Sequence, residues 1–237
     1  MTDGSLAVAE TFYSLQGEGP TVGRPAVFVR LKGCNLTCGG LNTVKTKTPD
    51  NGATWRCDTI EVWLKGERMT YADIIAPWKT QIQNGAHIVI TGGEPLLQDN
   101  DLVGFCKLLK KNYIEIETNA TLIPSAALDR HITQYNVSPK LKNSGMPADR
   151  RIVHGALKWH CDNPKSVFKF VVSRPEDLEE IQSMVQVPPT RIFLMPAAQG
   201  RQELRANLPR VAQWAKERGY SLSNRLHLEL WDRATGV

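Results

Sequence analysis

Short apolar runs alternate with amphipathic stretches of helical length along most of this chain, and this alternation restricts its fold more than any other feature. The runs are rich in β-branched residues and predict strands at residues 26–31, 87–91, 113–117, 135–138, 167–172, 191–195 and 226–230. The amphipathic stretches predict helices at residues 71–84, 99–111, 175–185 and 201–218. Because strands that alternate with helices usually pair in parallel, we expect an α/β fold. The expected architecture is an open, mostly parallel sheet or a partial (β/α)6-type barrel, and we expect residues 1–237 to form one domain.

The composition excludes several other classes of protein. Hydrophobic residues make up 41% of the chain and charged residues 22%, as in ordinary globular proteins. No apolar run approaches the roughly 20 residues that cross a membrane. The first ten residues lack the basic region and the long apolar stretch of a signal peptide, so we predict a cytoplasmic protein. A formal charge of +5 is common at this size and does not by itself predict a nucleic-acid partner.

Three cysteines follow the first predicted strand, at Cys34, Cys38 and Cys57. The chain has five cysteines, an odd number, and disulfides are rare in the cytoplasm, so metal binding becomes the question. The three are ordinary thiols, zinc ligands together with a histidine, or ligands of a 4Fe–4S cluster with one iron left open for a small molecule. Cys106 falls in a predicted helix and is expected to be a buried hydrophobe, whereas Cys161 is placed in a loop.

Arg30 lies among apolar residues in the first predicted strand. An arginine costs free energy to bury without a partner, and its forked guanidinium is well matched to a carboxylate. Taken alone, Glu18 and Arg30 are most simply a structural ion pair or solvated charges. The cost of burying an arginine nevertheless predicts a carboxylate partner for Arg30.

The cysteines are surrounded by short motifs in a recognisable order. They stand between Leu15-Gln16-Gly17-Glu18-Gly19 and Thr91-Gly92-Gly93-Glu94-Pro95, the third cysteine opens Cys57-Asp58-Thr59, and further motifs occur at 117–119, 138–140, 169–172, 194–196 and 225–227. Together they resemble the radical S-adenosylmethionine superfamily and, more narrowly, the 7-carboxy-7-deazaguanine synthases. Most of the superfamily has Cys-x-x-x-Cys-x-x-Cys. Here residues 39–56 are an insertion in the cluster-binding loop, expected to be an exposed excursion, and Cys161 is the reserve candidate for the second ligand.

The resemblance implies a place for each component of the reaction. The metal ligands are Cys34, Cys38 and Cys57 for a 4Fe–4S cluster and Thr59 for Mg²⁺. The residues that contact S-adenosylmethionine are Gly93, Glu94, Ser138, Pro139, Lys140, Met195, Pro196, Ala197 and Ala198. The residues that contact the substrate are Leu15, Gln16, Gly17, Glu18, Arg30, Thr91, His227 and Val237, with Arg30 on the substrate carboxylate.

The resemblance also implies a reaction. Reductive cleavage of S-adenosylmethionine gives a 5′-deoxyadenosyl radical that removes hydrogen from C6 of 6-carboxy-5,6,7,8-tetrahydropterin. The ring then contracts and loses ammonia to give 7-carboxy-7-deazaguanine, a step toward queuosine and other 7-deazapurines. The expected partners are an electron donor such as flavodoxin or ferredoxin and a second copy of the chain in a homodimer, with no membrane and no nucleic acid. No side chain is assigned as acid, base or nucleophile.

Two other functions are weighed against this one. A glycyl-radical activating enzyme shares the cluster and the fold, but it accepts a protein loop, and the motif at 16–19 and the segment around His227 disfavour it. A zinc-bearing nucleic-acid module agrees with the positive charge, but neither paired zinc motifs nor interleaved aromatic and basic residues support it.

Overall fold

The computed structural model describes residues 4–234 and 236–237, and its strands form one open sheet. Within these residues the strands are β1 (Ser5–Leu15), β2 (Pro25–Leu31), β3 (Glu67–Thr70), β4 (His87–Gly92), β5 (Ile114–Thr118), β6 (Gln134–Val137), β7 (Ser166–Val172), β8 (Ile192–Pro196) and β9 (Ser221–Leu222). Their order across the sheet is β3-β1-β2-β4-β5-β6-β7-β8-β9. Neighbouring strands pair in parallel along β2-β4-β5-β6-β7-β8-β9, whereas β1 pairs antiparallel with both β2 and β3.

Helices connect the parallel strands. They are α1 (Thr43–Thr46), α2 (Ile60–Trp63), α3 (Tyr71–Ile75), α4 (Lys79–Gln83), α5 (Asp99–Leu108), α6 (Ala126–Asp129), α7 (Ala148–Arg151), α8 (His154–Asp162), α9 (Glu176–Met184), α10 (Arg201–Arg218) and α11 (Leu226–Trp231). The prediction of an α/β fold with a mostly parallel, open sheet is confirmed, as are the first six predicted strands. Among residues 4–234 and 236–237, no helix combines the length and the apolar character needed to cross a membrane.

The core lies where the helices cover the sheet. Fully buried side chains such as Ile88, Ile90 and Ile116 come from the central parallel strands. They pack with Leu102 and Phe105 of α5, which have an exposed fraction of 1% or less. Because these strands are buried on both faces, their sequences read as continuous apolar runs, and this is why they were predictable.

The prediction of a last strand at residues 226–230 is wrong, because this segment is α11. Leucines alternate with other residues there, as they do in a half-buried strand. In the structure the backbone N–H of Leu226 donates to the carbonyl oxygen of Gly17 at 2.9 Å. The segment therefore packs against the loop after β1 instead of extending the sheet, and only Leu228 of this helix is buried.

Several other expectations need correction. The predicted helix at 71–84 is broken into α3, a 3-10 turn at Ala76–Trp78 and α4, because Pro77 cannot donate a helical hydrogen bond. Cys161 lies in α8 and not in a loop. The strands β1, β3 and β9 were not predicted. In β1, buried positions are interrupted by half-exposed ones, so the strand contains no continuous apolar run.

Candidate active site

The carboxyl ends of the parallel strands surround a cavity of about 440 Å³. Within the part of the chain that the structure describes, strand pairing leaves the sheet open, with β3 and β9 as its edge strands. The chain after β9 bridges this opening, since Gly17 accepts from Leu226 and the N–H of Gly19 donates to Ser223 Oγ at 2.9 Å. The cavity is therefore walled by the strand ends on one side and by the segment around α11 on the other.

The cysteine loop enters this cavity, and its insertion is closed at the base. The N–H of Cys57 donates to the carbonyl oxygen of Cys38 at 3.1 Å, so residues distant in sequence are adjacent in space. Inside the insertion, the N–H of Gly39 donates to Ser144 at 2.8 Å and that of Thr54 donates to Asn143 at 2.9 Å. Residues 39–56 are therefore docked on the protein at their base. The expectation of an exposed excursion holds only for outer residues.

Cys34, Cys38 and Cys57 all line the cavity and pack in one cluster with Leu36 and Met146. Burial raises the pKa of the Cys34 thiol to about 11 and that of Cys38 to about 12. The free thiols are therefore protonated at neutral pH, and a positively charged metal centre would have to displace these protons on binding. Cys106 and Cys161 do not line the cavity, so Cys161 is not placed to replace Cys38.

Three cysteines on one wall of the cavity fit the donor chemistry of an iron–sulfur cluster, whose protein ligands are thiolates. Among residues 4–234 and 236–237, no three His, Cys, Asp or Glu side chains are grouped so that they could hold a single metal ion. A structural zinc site requires its ligands to converge on one ion at about 2.0–2.3 Å. A cluster distributes its cysteine ligands over different irons, so its thiols line one chamber without meeting at a point.

The glycine-rich motif after β4 supports the cysteine loop. A side chain on Gly93 would overlap the carbonyl oxygen of Gly33 and the Cβ of Cys34. Gly93 therefore allows the loop to lie directly on the end of β4. The neighbouring Glu94 is fully buried behind the wall, where it accepts hydrogen bonds from Thr118 Oγ1 at 2.9 Å and from the N–H of Asn119 at 2.7 Å.

Most of the residues assigned to S-adenosylmethionine line the same cavity as the cysteines. These are Gly93, Ser138, Lys140, Met195, Ala197 and Ala198. The ammonium of Lys140 donates to Ser138 Oγ at 2.9 Å and lies 5.8 Å from the centre of the Trp55 ring. Glu94, Pro139 and Pro196 do not line the cavity. The assignment of these three residues to S-adenosylmethionine stays a prediction, and Glu94 positions Asn119 through their hydrogen bond.

All residues assigned to the substrate line the cavity, at the end closed by α11. They are Leu15, Gln16, Gly17, Glu18, Arg30, Thr91, His227 and Val237. Gln16 uses its amide within the protein, because Nε2 donates to Glu115 at 3.5 Å and Oε1 accepts from the N–H of Glu18 at 3.2 Å. Gly17 has no room for a side chain, since one would overlap the ring of His227.

Arg30 faces the cavity from β2, and its acidic partner differs from the expected one. Its Nε donates to Glu10 Oε1 at 2.8 Å, and its guanidinium lies 5.7 Å from the centre of the Phe12 ring. The candidate pairing with Glu18 is wrong. The register of β1 on β2 places Glu10 directly opposite Arg30, so strand pairing decides the partner.

Three charged residues around Glu18 were not assigned a role from the sequence: Asp58, Lys169 and Arg225. Arg225 donates to Glu18 at 3.3 Å, to Asp58 and to the carbonyl oxygen of Ala198, while Lys169 donates to Glu18 from the other side. Burial alone would raise the pKa of Glu18, but Lys169 and Arg225 outweigh it and hold that pKa below its usual range. Burial lowers the pKa of His227, which keeps its ring neutral at pH 7.

A sequence signal for these residues did exist. Lys169 is a charged residue in the apolar strand 166–172, so the reasoning applied to Arg30 applies to it as well. Asp58 and Arg225 occur in the motifs around residues 57–59 and 225–227, but nothing in the sequence shows that the two segments meet. Their ion pair is a result of the tertiary fold.

Comparison with known proteins agrees with this site. Residues 15–123 match a protein-family model described as a 4Fe-4S single cluster domain. The chain is 37% identical over 238 residues to the 7-carboxy-7-deazaguanine synthase of Pyrobaculum aerophilum, covering 98% of this chain and 97% of the relative. It is 34% identical over 257 residues to the synthase of Halobacterium salinarum, covering 97% and 92%. The crystal structure of QueE from Escherichia coli superposes with a TM-score of 0.61 at 26% identity, covering 92% of this chain and 93% of that one.

An open, mostly parallel α/β sheet with three cysteines at the carboxyl ends of its strands is the architecture of a radical S-adenosylmethionine enzyme. The relatives narrow this class further, because they match the chain over nearly its whole length. The chain belongs to the 7-carboxy-7-deazaguanine synthase family.

Proposed function

We propose that this enzyme converts 6-carboxy-5,6,7,8-tetrahydropterin to 7-carboxy-7-deazaguanine with loss of ammonia. One observation carries the proposal: the three cysteines and the residues assigned to the substrate line a single cavity of about 440 Å³. This size is within the usual range for small-molecule sites. A radical formed beside the cysteines would thus have a short path to a substrate held at Arg30.

The cysteine residues fit a 4Fe–4S cluster with one open iron, and the adjacent strand ends fit S-adenosylmethionine bound to that iron. When bound, the two supply the electron and the radical for hydrogen removal. Lys140 and Ser138 are placed to orient the cofactor, and Trp55 and Leu36 to exclude water beside it. The segment around α11 packs on the loop after β1 and forms part of the cavity wall.

We assign Arg30 to the carboxylate of the substrate. The change Arg30→Lys keeps the charge but removes the fork, so substrate affinity should weaken by about 1.5–3 kcal/mol if one charged hydrogen bond is lost. The measurement is the dissociation constant of 6-carboxy-5,6,7,8-tetrahydropterin, together with product formation. The rate of S-adenosylmethionine cleavage without substrate serves as the internal control, because Arg30 has no assigned contact with the cofactor.

Unchanged substrate affinity in this variant would make Arg30 a purely structural partner of Glu10. Loss of the cluster together with affinity would point to a defect in folding. If the unmodified enzyme with a full cluster forms no 7-carboxy-7-deazaguanine from this substrate, the proposed function itself is wrong.

We further propose that Thr59 is a ligand of Mg²⁺, to which the bound substrate adds oxygen atoms. Its hydroxyl lies 3.4 Å from the sulfur of Cys57 and lines the cavity, and oxygen ligands are those that Mg²⁺ prefers. In Thr59→Val the oxygen is lost at similar volume, so the stimulation of product formation by Mg²⁺ should disappear while the iron content stays unchanged. An undiminished response to Mg²⁺ would remove this assignment.

We also propose two protein partners, on the basis of the same family resemblance. They are an electron donor of the flavodoxin or ferredoxin type and a second copy of the chain in a homodimer. Reduction of the reconstituted cluster by either protein would test the first, and sedimentation analysis at several concentrations would test the second.

A further inference from the structure

The proposed reaction expels ammonia, and a leaving amine needs a proton. An acid at this site must carry a proton near neutral pH and be able to release it. Arginine does not give up its proton, and burial lowers the pKa of His227 so that its ring is already neutral. Once the cysteines assigned to the cluster and the acidic side chains are set aside, the two lysines, Lys140 and Lys169, remain among the described residues that line the cavity.

The two lysines lie in different parts of the cavity. Lys140 donates to Ser138 beside the cysteines, where the cofactor is assigned. Lys169 lies on β7 with an exposed fraction of 6%, and it donates to Glu18, next to the residues assigned to the substrate. Only Lys169 is therefore in the substrate half of the cavity.

A second carboxylate stands beside Lys169. Glu117 Oε1 is 3.8 Å from the Lys169 ammonium, and Glu117 Oε2 accepts from Thr91 Oγ1 at 2.7 Å. The Glu117 side chain keeps 24% of its surface exposed and lines the cavity, so it can contact a ligand. Glu18 also receives Arg225, and burial of Lys169 is outweighed by Glu18 and Glu117, which raise the pKa of Lys169 so that its ammonium carries a proton at neutral pH.

We propose that Lys169 is the general acid for departure of ammonia and that Glu117 is the base that accepts the accompanying ring proton. The carbon–nitrogen bond breaks with its electron pair going to nitrogen, and that nitrogen takes a proton from the Lys169 ammonium. The contracted ring loses one proton to the Glu117 carboxylate as its double bond forms. Transfer of this proton from Glu117 to the neutral amine of Lys169 restores both groups. The step consumes no oxidant or reductant. The inference rests on the proposed function.

The test separates hydrogen removal from loss of ammonia. The substrate is 6-carboxy-5,6,7,8-tetrahydropterin carrying deuterium at C6, with Mg²⁺ and the reconstituted enzyme, and the two measurements are deuterium in 5′-deoxyadenosine and release of ammonia. Lys169→Arg keeps the charge beside Glu18 but cannot release a proton. We expect deuterium transfer to persist and ammonia release to fall by about 10²- to 10⁴-fold, the usual contribution of a general acid.

Two further variants make the result specific. Lys169→Met should show the same split between the two measurements. Lys165→Met is the matched control, because Lys165 precedes β7 and pairs with Asp129 away from the cavity, and both measurements should stay near those of the unmodified enzyme.

The outcomes are distinguishable. Ammonia release by Lys169→Arg within a few-fold of the unmodified enzyme would overturn the inference. So would an equal loss of deuterium transfer and ammonia release in both Lys169 variants with the cluster intact, since this is the result of a merely structural role. Absence of deuterium transfer in the unmodified enzyme would instead contradict the proposed function, and with it this inference.

Discussion

Replacing Cys38 with alanine is expected to abolish cleavage of S-adenosylmethionine and to leave the protein without a stable 4Fe–4S cluster. The backbone hydrogen bond from Cys57 to Cys38 closes the insertion and places the second and third cysteines side by side at the cavity. A cluster that loses one of three protein ligands is not held in a form that can bind and reduce the cofactor. The measurements are iron and sulfide content after anaerobic reconstitution, and the yield of 5′-deoxyadenosine.

Cys161→Ala and Cys106→Ala are the matched controls. Neither residue lines the cavity, so both variants should keep the iron content and activity of the unmodified enzyme. A Cys38→Ala protein with a full, active cluster would show that the insertion has moved the second ligand elsewhere. In that case a loss of iron in Cys161→Ala would identify the replacement.

Arg225→Met is expected to lower the free energy of unfolding by about 3 kcal/mol, near the lower end of the range for breaking a buried ion pair. Glu18 loses one of its two cations, and the carbonyl oxygen of Ala198 loses its donor. The effect falls mainly on Glu18, because the Asp58 side chain keeps 50% of its surface exposed and water can replace its partner. In thermal denaturation of the ligand-free protein, this corresponds to a decrease in Tm of roughly 6–12 °C.

The pH dependence of this loss follows from the carboxylates. Burial opposes the charge on Glu18, but Lys169 and Arg225 hold its folded-state pKa below the usual range, so its stabilisation exists above the unfolded pKa and disappears as pH falls. The stability difference between the two proteins should therefore be largest near pH 7 and should shrink below about pH 4. Arg205→Met, which breaks the exposed pair with Glu229, should change Tm little. A pH-independent difference would mean that Arg225 acts through packing alone.

The sequence predicted the parallel strands because most of them are buried on both faces of the sheet. A strand covered on both faces is mostly apolar, so 26–31, 87–91 and 167–172 could be recognised without any neighbour. The edge elements lack this property. Residues 226–230 alternate like a strand, yet they form α11, because β9 ends the sheet and the chain turns to cover its open side.

In the site, too, some residues could be identified from the sequence alone and others could not. The cysteines, the glycine-rich turn and Arg30 were identifiable because each is an unusual residue type for its local position. Their partners were not identifiable in this way. Arg30 pairs with Glu10 through strand register, and Lys169 and Arg225 meet Glu18 across more than a hundred residues of sequence.

By itself, then, the sequence determined the class of fold, the positions of the central strands along the chain and the candidate residues for binding a cluster and a carboxylate. These properties depend on local periodicity and on the chemistry of single side chains, which a sequence contains directly. Only the tertiary structure decided that the insertion closes at Cys38 and Cys57, that Glu94 lies behind the wall, and that buried Arg225 joins the cysteine loop to the segment of α11 through Asp58. Such contacts depend on which segments the fold brings together, and the free energy of a buried charge depends on the partners it meets there.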